Sequence, residues 1–297
     1  MSEIQLQAPP VVVAADADIE FHRLARRWAL GRRWRPIAGL LLAMVIYVVM
    51  IAAVLMVGFL ATGPDFERVF GAEDYADPLT YLLGYGTVAL MLPAVFLGFW
   101  IVGCRPVGLL SSVAGRLRWG WVARLWPAAL VIWAVALTAS LLSDPAALPK
   151  AATVNGGLLL VALAVTPFQA AAEEYVYRGA MAQAVGAWLK NPWWAILLPV
   201  PLFVVGHVYD WVGLTGVALF AVAAGWLTYR TGGLEAAIVV HVVNNTSLGV
   251  LGAFGLVNLN AASFDPVLLV FDVAPIAVFV GWVEWLLWRR RRAAVGG

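Results

Sequence analysis

Stretches without Asp, Glu, Lys or Arg follow one another along the chain at 36–64, 78–104, 125–143, 151–172, 191–209, 211–229 and 236–264. An eighth, 266–288, is interrupted only by Asp272 and Glu284. A helix rises about 1.5 Å per residue and the bilayer's hydrocarbon core is about 30 Å thick, so most of these runs can cross it. Lipid offers no partner to a bare N–H or C=O, and the runs lack the ten-residue alternation of barrel strands. The pattern predicts an all-α, polytopic membrane protein, a bundle of about eight transmembrane helices.

Composition agrees, with 63% hydrophobic and only 12% charged residues, which excludes an ordinary soluble or disordered chain. The charges then orient the bundle. Arg23, Arg26, Arg27, Arg32, Arg33 and Arg35 precede the first run, and Arg105, Arg116, Arg118 and Arg124 fill the loop after the second. Arg289, Arg290, Arg291 and Arg292 close the last, whereas the loop after the first run is acidic (Asp65, Glu67, Glu73, Asp74, Asp77). An excess of arginine marks the cytoplasmic side, so both termini are expected there. The run from Ile37 is too long for the core of a cleaved signal peptide, so the first helix is expected to be retained.

The expected organisation is a cytoplasmic basic leader at 1–35, partly disordered, a transmembrane domain at 36–290 and a cytoplasmic tail at 291–297. The setting is the cell membrane, as a multi-pass integral protein. The arginines flank spans and are not interleaved with stacking aromatics on a soluble face, so no nucleic-acid partner is expected. Anionic lipid headgroups are their natural counterpart. Trp28, Trp34, Trp119, Trp121, Trp193, Trp194, Trp285 and Trp288 fall at predicted span ends, as an interfacial belt would place them. Cys104 stands alone, which excludes an internal disulfide, and its expected role is packing.

Within this apolar background three polar elements carry candidate chemistry, because ionisable groups are costly in a membrane and are rarely accidental there. Glu173 and Glu174 lie where the fourth run ends, and Arg178 follows Glu174 by four, the spacing of an ion pair on one helical face. Glu173 is turned about 100° from its neighbour and is free to face another cavity. The plain alternative is that both carboxylates pair with Arg178 at headgroup level. His207 ends the fifth run, with Phe203 one turn before it; a lone membrane histidine is otherwise a hydrogen bond between helices. His241 and Asn245, four apart, form a polar stripe on the seventh run. Apart from His22 in the leader, these are the only histidines, and they share half a chain with the paired carboxylates.

In the pattern Glu173-Glu174-x-x-x-Arg178, Phe203-x-x-x-His207 and His241-x-x-x-Asn245, the chain resembles the CPBP family. This is the CAAX protease and bacteriocin-processing group, also called Abi, which includes the type II CAAX prenyl endopeptidase. The motif core covers about 170–246. The resemblance implies an intramembrane endopeptidase acting on a peptide or membrane-protein substrate within a membrane-embedded cavity. In one version Glu173 takes a proton from water, His207 orients that water, His241 and Asn245 stabilise the oxyanion, and no cofactor is required. In the other, His207, His241 and Glu173 hold a divalent metal such as zinc, leaving Glu174 as base. Arg178 and Phe203 support the site in either. Two other readings remain: a non-catalytic immunity or scaffold protein that keeps the fold, and a proton-coupled transporter, for which paired discontinuous helices in two halves would be expected.

Other polar positions promise less. Asp272 is expected to meet solvent or a partner across helices, Glu235 to be a helix-start charge near Arg230, Glu284 to reach the arginine tail, and Asp210 to sit in the turn after His207.

Overall fold

The computed structural model describes residues 20–29, 32–71, 73–143, 154–266 and 269–295. After a short 3-10 turn at Phe21–Arg23 come α1 (Ala25–Ala29), α2 (Arg35–Thr62), α3 (Phe66–Phe70), α4 (Pro78–Ala89), α5 (Met91–Ile101) and α6 (Trp119–Ser143). Then follow α7 (Gly156–Glu174), a π-helical segment (Tyr175–Met181), α8 (Ala182–Gly186), α9 (Pro192–Leu197), α10 (Pro199–Val205), α11 (Trp211–Thr231), α12 (Glu235–Ala253) and α13 (Leu269–Val295). Among the described residues there is no strand, only an isolated bridge between Ser112 and Gly233.

Helix starts follow local chemistry. Asp77 accepts from Leu79 N and Thr80 N ahead of Pro78, Asn155 accepts from Leu158 N, and Asn191 accepts from Trp193 N ahead of Pro192. A short polar side chain satisfies N–H groups that the first turn leaves bare, and proline in that turn forfeits no bond.

Among the described residues seven helical stretches are long and apolar enough to cross a membrane, and the protein is a multi-pass integral membrane protein. The expected fifth span differs: the sequence there folds as the short, successive α9 and α10, covering Pro192–Val205. Pro199 has no N–H to give, so the helical bond ladder is interrupted there although Leu198 keeps helical angles (φ −65°, ψ −32°). Pro199 and Pro201 therefore divide a run that composition alone reads as continuous. α12 lies at the centre, with 61% of its most apolar window buried against 6% for α2, packing against α7, α6 and α11. Outward faces remain apolar, as at Leu41, Val45, Val49 and Leu60 of α2, which suits lipid. At the α2–α5 crossing a Cβ on Gly98 would stand 2.7 Å from Ala43 N and from Gly39 O, so only glycine allows that approach.

The leader is more ordered than its composition implies. Phe21, Leu24, Ala25 and Trp28 are all buried, in one core cluster with Phe99, Leu110 and Tyr175. Trp28 accordingly leaves the expected interfacial belt: its ring meets Phe99 edge-on and its Nε1 donates to Pro106 O at 3.0 Å. Residues 1–19 lie outside the described region. Trp34, Trp119, Trp193, Trp194, Trp285 and Trp288 stay exposed. Cys104 is buried, and burial pushes its thiol up to about 11 despite nearby Arg35, a thiol kept protonated and inert near neutrality.

Candidate active site

The three polar elements meet around the imidazole of His241. α7 delivers Glu173 and Glu174 on consecutive positions, and α12 delivers His241 and Asn245 on one face. Glu174 Oε1 lies 2.7 Å from His241 Nδ1 and accepts from Arg178 Nη1 at 2.9 Å. Glu173 Oε2 lies 3.3 Å from His241 Nε2. Two carboxylates adjacent in sequence thus flank the two nitrogens of one ring, a use of the 100° offset that sequence alone does not reveal.

The surroundings of the two carboxylates differ. The Glu174 side chain is wholly enclosed (0%), whereas 12% of the Glu173 side chain remains accessible. Glu174 is fixed by Arg178 and His241 together; Glu173 has the freer carboxylate. Glu173 Oε2, Glu174 Oε2 and Arg178 Nη2 make no hydrogen bond within the protein. Each such buried group costs about 1–3 kcal/mol, so three in one cluster are a mark of function.

Hydrogen bonds dictate how the ring is protonated. The Trp133 indole can only donate, and it does so to Asn244 Oδ1 at 3.3 Å. The amide nitrogen of Asn244 then donates to Asn245 Oδ1 at 3.0 Å, which turns Asn245 Nδ2 toward Gln169 Oε1 at 3.1 Å and His241 Nε2 at 3.1 Å. Asn245 can donate to Nε2 only if that nitrogen carries a lone pair, leaving Nδ1–H to donate to Glu174. In this state Glu173 Oε2 and His241 Nε2 present two acceptors 3.3 Å apart, an arrangement relieved when a proton lies between them.

Phe203 closes the opposite side. Its ring lies under the Arg178 guanidinium at 4.3 Å, 4.9 Å from His207 and 5.1 Å from Tyr177. Phe220 stands edge-on to His241 at 4.7 Å. His207 follows the end of α10; its Nδ1 lies 2.9 Å from Phe203 O, an orientation that leaves Nε2 free to face the site. It stands within electrostatic reach of Glu173. All seven residues singled out from the sequence therefore belong to one neighbourhood, with His207 at its more open edge.

The backbone after Glu174 winds as a π-helix from Tyr175 to Met181. Such single wide turns concentrate at functional sites. This one is braced from outside: Tyr175 and Ser111 hydroxyls are 2.7 Å apart, and Gln183 Nε2 donates to Leu109 O at 2.8 Å.

Among the described residues no group of three His, Cys, Asp or Glu side chains is placed to hold one metal ion. His241 places Nδ1 on Glu174 and Nε2 near Glu173, and His207 turns Nδ1 onto backbone, contacts that leave Nε2 as the available nitrogen of His207.

Several participants escape the sequence reading. Gln169 precedes Glu173 by four, a lone amide on the same face of an apolar helix, and Asn244 adjoins Asn245; both could have been found by that logic. Trp133 gives no signal, because its role depends on α6 crossing α12. Two minor expectations are corrected. Glu235 pairs with Arg118, not Arg230, through Nε–Oε1 at 2.9 Å and Nη2–Oε2 at 2.7 Å. Arg230 instead takes Glu284, with Nε–Oε1 at 2.6 Å, and Trp226 Nε1 donates to that carboxylate at 3.0 Å. Asp272 lies exposed in the first turn of α13.

A family model described as "Type II CAAX prenyl endopeptidase Rce1-like" matches residues 155–247, the segment carrying every motif above. The matched segment contains the motif core and covers under a third of the chain. The chain is also similar to YyaK of Bacillus subtilis (strain 168), described as an uncharacterized protein, at 33% identity over 99 residues, 31% of this chain and 33% of that one. The matched region thus spans about a third of that relative's length. No solved structure gives a significant match.

Proposed function

We propose that the protein is an intramembrane endopeptidase in which Glu173 is the general base. The observation that carries this reading is the His241 imidazole held between Glu174 Oε1 at 2.7 Å and Glu173 Oε2 at 3.3 Å, with the freer carboxylate on the side of Asn245. Glu173 accepts a proton from water as its oxygen adds to the peptide carbonyl carbon. The proton then shifts from Glu173 Oε2 to His241 Nε2, 3.3 Å away, which frees Asn245 Nδ2 from that lone pair, and the developing oxyanion receives hydrogen bonds from both nitrogens while His207 orients the water. Collapse of the intermediate breaks the C–N bond, and the same proton returns through Glu173 to the leaving amine. Glu174 and Arg178 hold the imidazole in place and keep its charge balanced. Positioned proton transfer contributes about 10²–10⁴-fold, and each preset oxyanion donor about 3 kcal/mol.

The family description makes a prenylated CAAX-type carboxyl-terminal peptide the first substrate class to test. Purified protein in nanodiscs should release the carboxyl-terminal fragment of such a peptide. Glu173→Gln should lower kcat at least about 100-fold while binding of the intact peptide persists, and treatment with a metal chelator should leave the rate unchanged. Cleavage by the Glu173→Gln variant at the wild-type rate would remove Glu173 as base; loss of activity on chelation, restored by zinc, would remove the metal-free mechanism.

A further inference from the structure

A cleft of about 430 Å³ opens between the start of α6 and the end of α13, lined among others by Arg116, Arg118, Trp119, Trp121, Arg124 and Arg290. It lies outside the polar cluster around His241. Of its four arginines only Arg118 has a carboxylate partner, the buried Glu235. Arg116, Arg124 and Arg290 have no acidic partner among the described residues, and Arg124 and Arg118 lie close enough for their charges to act on Arg290. Arg290 lies over the Trp121 ring at 4.2 Å, and Arg118 flanks the same ring at 5.9 Å. Three uncompensated guanidinium groups gathered about one concavity repel one another unless an anion joins them. Guanidinium suits phosphate, which it can grip with two parallel N–H donors. Exposed Trp119 adds the amphipathic ring found where headgroups meet acyl chains.

We propose that this cleft binds a phosphate ester, and that its source is the headgroup of an anionic phospholipid. The site ties that lipid to the catalytic helix, since the Arg118 lining the cleft is the residue that clamps Glu235 at the start of α12.

The test measures lipid retained by full-length protein after purification from mixed micelles of phosphatidylglycerol and phosphatidylcholine, by native mass spectrometry. The wild type should retain phosphatidylglycerol over phosphatidylcholine. Arg124→Gln with Arg290→Gln should reduce that retention roughly 25-fold, at about fivefold for each arginine beside an anionic headgroup. Arg32→Gln with Arg33→Gln, which removes equal charge elsewhere, should leave it unchanged. Arg124→Lys with Arg290→Lys should restore part of it, which excludes simple misfolding. A second arm titrates inorganic phosphate against the melting temperature in neutral detergent. Stabilisation by millimolar phosphate that requires Arg124 and Arg290, without selective lipid retention, would assign a soluble phosphate and overturn the lipid source. Equal retention by wild type and the Gln pair, with no phosphate effect, would overturn the site altogether.

Discussion

Glu173 and Glu174 are neighbours in the chain with different work. Glu174 is enclosed and bonded to both Arg178 and His241, so Glu174→Gln strands a buried guanidinium. Breaking a buried pair from one side costs about 3–5 kcal/mol, and the variant should melt far below wild type in detergent. Glu173 has a freer carboxylate with an unbonded oxygen, so Glu173→Gln should keep the melting temperature within a few degrees of wild type while losing turnover. If the two variants melt alike, the division of labour fails. The same logic reaches Trp133, whose indole sets the orientation of both asparagine amides. Trp133→Phe removes one hydrogen bond, about 1 kcal/mol of stability, yet it releases Asn245 to flip and accept where it should donate. The expected outcome is a kcat reduced about tenfold or more with little change in KM, since oxyanion stabilisation acts in the transition state. An unchanged kcat would show that Asn245 holds its orientation without the indole.

Among the elements, the leader is the one whose behaviour composition misreads. Its arginines mark it as a solvated segment, but Phe21, Leu24, Ala25 and Trp28 face inward and dock against α8. A Cβ on Gly186 would stand 1.8 Å from His22 O, so Gly186→Ala must displace the leader. Limited proteolysis should then cut within residues 20–29 at a rate several-fold above wild type. Docking also buries His22, with Nε2 3.1 Å from Lys190 O, Glu20 at 3.8 Å, Arg23 beside it and Tyr229 edge-on. Burial lowers the His22 pKa below its ordinary 6.5, outweighing Lys190 O and Glu20. The undocked leader therefore binds the proton more readily, and docking gains stability as pH rises through that window. It is complete above 6.5 and weakens as pH falls toward the lowered value. Protease sensitivity of residues 20–29 should rise between pH 7.5 and 5, and His22→Gln should flatten that dependence. The spans were legible because uncharged length is a direct consequence of bilayer thickness. The division into α9 and α10, the π turn after Glu174 and the buried leader were not, since each depends on prolines or on packing partners distant in the chain.

Across the whole molecule, the motif-bearing segment does not stand by itself. The six polar residues of the motifs were readable because a bilayer leaves few polar side chains without purpose, and further residues that hold them in register come from outside 155–247. Arg118 clamps the first residue of α12. Trp133 orients Asn244, and Ile276, Phe279 and Val283 of α13 are buried in one cluster with Val239, Val240 and Val243 of α12. Sequence reading locates chemistry that is intrinsically expensive in lipid; it misses supports such as Phe279, whose apolar side chain resembles any lipid-facing one. A chain ending after residue 266, which lacks α13, should therefore insert in the membrane, because its remaining spans keep their length and hydropathy. Its catalytic helix would nevertheless lose one packing wall. In lipid that wall contributes close packing and not exclusion of water, so its loss loosens the seat of α12 without barring insertion. Cross-linking by a short thiol-to-thiol reagent between cysteines placed at Gln169 and Asn245, whose side chains meet at 3.1 Å, in a Cys104→Ala background, reads the α7–α12 register directly. It should form readily in the full chain and fall several-fold in the truncated one. Equal cross-linking in both would mean that α7 and α12 hold their register on their own contacts, and that α13 serves the molecule elsewhere.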